Sequence, residues 1–296
     1  MNCDPLDPAG LTGLYHESGS VMPEIVAAFR AMILAYYRAN SRPMLWRETR
    51  DPYAILISEV MLQQTQVARV MVKYTEFLIA FPGLKELAAA PLPDVLRIWQ
   101  GLGYNRRALA LKRCAEVVVE QHEGRFPATV SELELLPGIG PYTARAVAAF
   151  AFDVAEPLIE TNVRTVFLHW FFHDHEMVSD ARILPLVEAT LDRDNPREWY
   201  YAVMDYGVML KQKYPNPGRR SRHHVRQSRF EGSNRQLRSR LLREIMAEPG
   251  IVLMDMVTRL TADQDAVERN LEAMQREGLL EKRGSGYCVQ GENKRG

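Results

Sequence analysis

Residues 133–150 read LELLPGIGPYTARAVAAF, two helical fragments joined by four residues that include two glycines. The first fragment, over roughly 131–135, is finished by Leu136. Pro137, Gly138, Ile139 and Gly140 make a tight turn, and a second helix starts near Pro141 and Tyr142. Glycine at 138 and 140 lets the backbone come close to a ligand, its N–H groups exposed beside the positive end of a helix. Such a turn clamps a phosphate without reading base sequence. PGIG alone also suits an ordinary helical hairpin turn, so the flanking chain has to decide.

Outward from the hairpin at 131–150, apolar residues keep recurring at helical spacing. Ile25, Phe29, Met32, Ile33 and Tyr36 mark a helix from Pro23 to about Arg38. Further helices are predicted over 66–81, 84–90, 92–100, 104–122, 142–151, 160–172, 180–193 and 196–210, and no convincing alternating strand interrupts them. The fold class is mainly α. Composition shifts at SRFEGSNRQ (228–236), which divides the chain into a flexible tail (1–22), a helical domain (23–228), a linker (229–235) and a small module (236–292). In the module, three helices and two short strands around a Gly-Ser-Gly turn read as a winged helix. Its third helix carries Asp265, Glu268 and Glu272 beside Arg269 and Arg276, which disfavours deep insertion into a DNA groove. Lys282 and Arg283 in the wing are better phosphate candidates, and a protein-binding role stays open.

Three scattered cysteines, Cys3, Cys114 and Cys288, supply neither a disulfide framework nor a thiolate metal cage, so a reducing compartment is expected. The first residues carry no basic start and no apolar run, and the longest apolar stretch, AVAAFAF (146–152), falls far short of the ~18–20 residues of a membrane span. The expectation is a cytoplasmic protein without membrane contact. The 37 basic and 37 acidic residues balance, yet residues 211–240 hold ten Lys or Arg against the single Glu231. That run marks a polyanion site, or a solvated basic linker.

A second stretch, ILISEVMLQQTQV (55–67), sets Glu59 among Ile55, Leu56, Ile57, Val60, Met61 and Leu62. A carboxylate in a helix apolar on nearly every side is costly unless paired, neutralised or used. On this stretch alone Glu59 could equally sit on a narrow solvated stripe with Gln63 and Gln66.

LPGIGPYTA resembles the helix-hairpin-helix signature of the base-excision DNA glycosylases. PMLWRETRDPYAILISEVMLQQTQV (43–67) is similar to the amino-terminal signature of the adenine-specific mismatch glycosylase (MutY) family, and WQGLGYNRRALAL (99–111) and MDYGVM (204–209) continue the match in order. The resemblance, over about residues 25–212, implies a two-lobed helix-hairpin-helix glycosylase fold acting on double-stranded DNA with a mismatched or damaged base. It implies that Glu59 is the general acid, protonating adenine N7 so that the C1′–N bond breaks toward an oxocarbenium-like state; apolar surroundings, which raise a carboxyl pKa, suit that work. It implies a second carboxylate that stabilises the sugar cation. Here LIETNVRTV puts Glu160 where the family has aspartate, and Thr161 where the adenine branch usually has glycine. The extra methylene moves the charge by about 1–1.5 Å; a re-spaced site, a different target base and an impaired enzyme are the readings left open.

Tyr142 stands where lyase members carry a Schiff-base lysine, so strand cleavage through an imine is not expected. Tyr142 and Asn162 match residues that orient the catalytic carboxylate and the sugar. Trp46 and Arg47 match the pocket for the flipped base, and Asp205 an acid that hydrogen-bonds the exocyclic amine of adenine. Gln64 and Tyr104 match residues inserted into the gap in the duplex. Two family features are missing. LKQKYPNPGRRSRHHVRQSRF (210–230) lacks the four cysteines of the family's iron–sulfur cluster, so no cofactor or metal is expected, and Arg219, Arg220 and Arg222 take over phosphate contact. The segment at 236–290 also shows no similarity to the module with which the family reads 8-oxoguanine. The expectation is a monomeric, monofunctional glycosylase removing adenine opposite 8-oxoguanine or guanine. A thymine or uracil mismatch glycosylase of the same fold, and a non-catalytic DNA-binding or regulatory protein, are the alternatives.

Overall fold

The computed structural model describes residues 22–224 and 229–292. The tail expected at 1–22 thus lies, except for Met22, outside the described residues. In chain order the elements are α1 (Pro23–Asn40), a 3-10 turn (Leu45–Arg47), α2 (Pro52–Leu62), α3 (Val67–Ala80), α4 (Leu84–Ala89), α5 (Leu92–Trp99), α6 (Arg106–Gln121), α7 (Val130–Leu133), α8 (Pro141–Phe152), α9 (Thr161–Phe171), α10 (Asp180–Thr190), α11 (Pro196–Lys213), a second 3-10 turn (Pro217–Arg220), α12 (Asn234–Ala247), β1 (Ile251–Val252), α13 (Leu253–Leu260), α14 (Gln264–Arg276), β2 (Leu280–Arg283) and β3 (Gly286–Val289). The mainly helical architecture expected from the sequence is the one the chain adopts. No helix among the described residues is long and apolar enough to cross a membrane.

Packing groups the described residues into two compact units. The first takes in 22–55, 128–134 and 139–224; the second takes in 56–127, 135–138 and 229–292. In the first unit α9 and α11 lie along one another and α1 packs on α11. Phe29 fills the space between them, its ring edge-on to Phe171 at 5.3 Å and to Trp199 at 6.1 Å. Each of these aromatic residues lies on the buried apolar stripe of its own helix.

In the second unit α3, α5 and α6 form the helical core, with Phe77 edge-on to Phe81 at 5.0 Å and to Trp99 at 6.0 Å. The hairpin turn meets this core at Gly138. Its φ is +76°, and a Cβ there would sit 2.4 Å from the Ala110 Cβ on α6, so both backbone sign and space demand glycine.

Residues 229–292 belong to the same unit and carry the winged-helix order of elements. The sheet runs β1-β3-β2, antiparallel, with Ile251 opposite Tyr287 and Leu280 opposite Val289. The sequence shows two of these strands and misses β1, whose two residues are too short to display alternation. Asp263 caps α14, accepting from the Ala266 N–H, and Val267, Leu271 and Met274 bury that helix's apolar face. Arg106 on α6 and Arg238 on α12 both reach Glu277 at the end of α14.

Candidate active site

Every residue of α2 from Tyr53 to Met61 is buried. Glu59 is 6% exposed, which excludes the solvated stripe that its spacing from Gln63 and Gln66 left open. Helices end with unsatisfied carbonyls, and here one side chain collects them. Arg107 Nη1 donates to the carbonyls of Val60 (2.6 Å), Met61 (3.3 Å) and Gln63 (2.7 Å), while Nη2 donates to those of Leu102 (3.1 Å) and Gly103 (3.2 Å). The cation also complements the negative end of the α2 dipole. Burial lowers its pKa to about 10, still leaving it charged at neutral pH. Arg107 thus ties the turn that carries Glu59 to the GLGY loop. Its role escaped sequence reading. The available signal is that Arg106 and Arg107 open α6, where positive charge opposes the helix dipole and needs another use.

Gln64 and Tyr104, the two residues matched to duplex insertion, lie in the loops that Arg107 joins. Both are exposed and both adopt left-handed backbone, φ +55° and +48°. That conformation is disfavoured for side chains of this size and clusters at functional sites.

In the first unit, Glu160 is the N-cap of α9. Its Oε1 accepts from the N–H groups of Asn162 (2.6 Å) and Val163 (2.8 Å), and Oε2 accepts from Asn162 Nδ2 (3.2 Å). Asn162 Oδ1 in turn accepts from Lys211 Nζ at 2.8 Å. Burial depresses the Lys211 pKa, against the pull of the Glu160 charge. The extra methylene relative to aspartate is absorbed by folding the carboxylate back onto the helix start, where a negative charge is favoured. Three of about four lone-pair directions are used, and one remains on Oε2. Gly207 of the MDYG motif makes this possible: a Cβ there would lie 2.4 Å from the Asn162 carbonyl oxygen.

Arg47 and Asp205 are brought together as expected, but as a closed pair. The Asp205 carboxylate, 2% exposed, accepts from Arg47 Nη2 (2.8 Å) and Arg42 Nε (2.6 Å) on Oδ1, and from Arg47 Nη1 (2.8 Å) and the Arg42 N–H (3.0 Å) on Oδ2. Burial would raise its pKa, but the bonds from Arg47 and Arg42 prevail and hold the carboxyl below the usual range. All four lone-pair directions are taken, so the bond expected from Asp205 to an adenine amine has no free acceptor in this arrangement. Asp205 instead fixes Arg47, whose guanidinium stands 4.5 Å over the Tyr201 ring. Arg42 and Tyr201 went unnoticed in the sequence. Trp46, in the same 3-10 turn as Arg47, is buried.

Tyr142 is half-buried in the first turn of α8, and Gly140 is that helix's N-cap with open space where a Cβ would point. Of the basic run, Arg219 and Arg222 are exposed. Arg220 is a correction to the expected set of phosphate ligands: its Nη1 donates to the carbonyls of Leu168 (3.0 Å), Phe172 (3.0 Å) and His173 (2.8 Å), closing the end of α9. Cys114 and Cys288 are free and buried, and burial pushes the Cys114 thiol up to about 12, far from thiolate chemistry. No cluster of His, Cys, Asp and Glu among the described residues suits a metal ion.

A hairpin with this turn, a buried acid on α2 and a carboxylate capping α9 place the molecule among the helix-hairpin-helix DNA glycosylases. Residues 57–185 match the model of the HhH-GPD superfamily of base excision DNA repair proteins. An adenine DNA glycosylase of Mycolicibacterium smegmatis is 33% identical over 291 residues, 89% of this chain and 97% of that protein. Adenine DNA glycosylases of Mus musculus (43% over 197 residues) and Mycobacterium tuberculosis (44% over 135 residues) match 62% and 45% of this chain but only 38% and 44% of their own lengths. Among solved structures, a thermostable thymine-DNA glycosylase superposes with a TM-score of 0.56 at 26% identity, covering 63% of this chain and 87% of that one. Endonuclease III bound to DNA, with a TM-score of 0.50 at 20% identity, covers 64% and 86% and shares the fold. The chain belongs to the adenine DNA glycosylase family.

Proposed function

We propose that this chain flips a mispaired adenine, opposite 8-oxoguanine or guanine, out of duplex DNA and hydrolyses its N-glycosidic bond. The carrying observation is Glu59, a carboxyl buried in an apolar helix whose last turn is stapled by Arg107. In this reading Glu59 delivers a proton to N7, the C1′–N9 bonding pair leaves with the base, and stabilising the positive sugar is assigned to the Glu160 carboxylate. Water then adds to C1′, leaving free adenine and an abasic site. Asn162 and Lys211 keep Glu160 in place, while Arg47, fixed by Asp205, offers a rigid donor and Trp46 an aromatic wall for the extrahelical base. Tyr142 offers no amine for an imine, so the enzyme is monofunctional.

The family's iron–sulfur cluster needs four cysteines, and this chain has three in all, none of them in 210–230. The residues present do not fit the cluster, and no step involves it. Contact with DNA is assigned to the Gly138–Gly140 turn and to Arg219 and Arg222, and the enzyme acts as a monomer.

The likeness to a thymine-DNA glycosylase supports a second reading in which the same acid serves a T·G or U·G pair. Duplexes carrying A·8-oxoG, A·G, T·G or U·G, incubated with protein and then cleaved with alkali, separate the two. Release of adenine alone, abolished by Glu59→Gln, is the expected result. Undiminished excision by Glu59→Gln on every duplex would end the proposal.

A further inference from the structure

Residues 229–292 do more than follow the glycosylase domain; they reach the duplex-insertion loop of their own unit. Ser233 closes a turn by donating from Oγ to the Phe230 carbonyl at 2.6 Å, and its side chain caps α12 by accepting from the Gln236 N–H. This turn sets Arg235 against Tyr104. Arg235 Nη1 donates to the Tyr104 hydroxyl at 3.1 Å, and its guanidinium lies 5.6 Å from the Tyr104 ring and 6.0 Å from the Phe230 ring. The Arg107 guanidinium also stands 5.3 Å from the Tyr104 ring. Tyr104 and Phe230 are 37% and 52% exposed.

A tyrosine in left-handed backbone, braced by two guanidiniums, next to a solvent-facing phenylalanine, is a stacking platform with a cation attached. That combination recognises unstacked bases and the phosphates beside them, because every base has a π-face and every linkage a negative charge. The alternative DNA-facing elements of the module are less suited. On α14 the exposed residues include Asp265, Glu268 and Glu272, and in the wing Arg283 is paired with Glu281.

We propose that Phe230 and Arg235 form a second nucleic-acid contact. Phe230 stacks on a base of the strand opposite the excised nucleotide, where Tyr104 has opened the stack, and Arg235 takes the adjoining phosphate while holding the Tyr104 ring. The C-terminal module thereby contributes to the DNA surface through the start of its first helix. This rests on Tyr104 being the residue that enters the duplex.

The test uses the full chain and a duplex with a tetrahydrofuran abasic-site analogue opposite 2-aminopurine, so that binding is read without base excision. Titration by anisotropy and by 2-aminopurine fluorescence compares Phe230→Ala, Arg235→Ala, Arg235→Lys and Tyr104→Ala with the parent, thermal midpoints serving as the folding control. Phe230→Ala is expected to weaken binding about 5- to 10-fold with an unchanged salt slope. Arg235→Ala is expected to weaken it similarly and to reduce the salt slope by about 1, while Arg235→Lys restores the slope without the full affinity. If Phe230→Ala and Arg235→Ala both bind within about 2-fold of the parent while Tyr104→Ala is impaired, the second contact is refuted and the insertion role of Tyr104 stands. If Tyr104→Ala is also unimpaired, the insertion reading fails, and this proposal with it.

Discussion

Gly207→Ala is the most economical probe of how the second carboxylate is held. The added Cβ would lie 2.4 Å from the Asn162 carbonyl oxygen and 2.9 Å from its carbon, whereas ordinary contact begins near 3.4 Å. About 1 Å of separation must therefore open between α11 and the start of α9. Gly207 sits mid-helix, flanked by buried Tyr206 and Leu210, so the lighter partner to move is the α9 terminus that carries Glu160 and Asn162. A displacement of that size at a reacting group costs about 100-fold in rate. Overpacking costs about 1–3 kcal/mol, offset by the ~1 kcal/mol that alanine gains over glycine in a helix. Activity should thus fall much further than stability. Single-turnover excision and urea unfolding measure the two together. A folded Gly207→Ala protein that excises within about 3-fold of the parent rate would refute the close-approach argument.

The two hairpin glycines should behave differently. Gly138→Ala meets both a positive φ and the Ala110 Cβ, and should lose about 2–4 kcal/mol in urea unfolding; Gly140→Ala points its methyl into open space and should leave the unfolding midpoint alone while weakening DNA affinity. Asp205, whose carboxyl is held below the usual range, contributes stability that is complete above about pH 4 and disappears as pH falls through the depressed folded value. Asp205→Asn should erase that acid limb of a stability-versus-pH curve and cost about 3–5 kcal/mol at neutral pH by leaving Arg47 buried without its partner. Glu160→Gln keeps an oxygen to accept from the α9 N–H groups, so its unfolding free energy should stay within about 1 kcal/mol of the parent while excision drops by about 100-fold or more. Glu160→Asp with turnover neither raised nor lowered would remove Glu160 from its proposed role.

Much of the helical frame is legible because each helix buries one stripe. The spacing predicts helices over 104–122 and 142–151, and the structure has Arg106–Gln121 and Pro141–Phe152. Glu59 stands out in the sequence because charge is rare in a fully apolar helix. What escapes is whatever depends on tertiary partners. Arg42 lies 163 residues from Asp205, and no local pattern announces their bond. Arg220 reads as one more basic residue in a run, although its environment turns it inward. The linker at 229–235 is visible as a shift in composition, but composition does not say that the segment beyond it packs with residues 56–127.

Arg107 grips the carbonyls behind Glu59 and those of the GLGY loop with the same guanidinium. Two tasks hung on one planar group are coupled thermodynamically. If Tyr104 parts the bases and Glu59 donates the proton, as proposed, strain at the tyrosine is passed to the backbone of the acid, and loading the acid biases the loop in return. A duplex that resists parting would then leave the acid poorly aimed, which sets a threshold for damage search before any atom of the target base is touched.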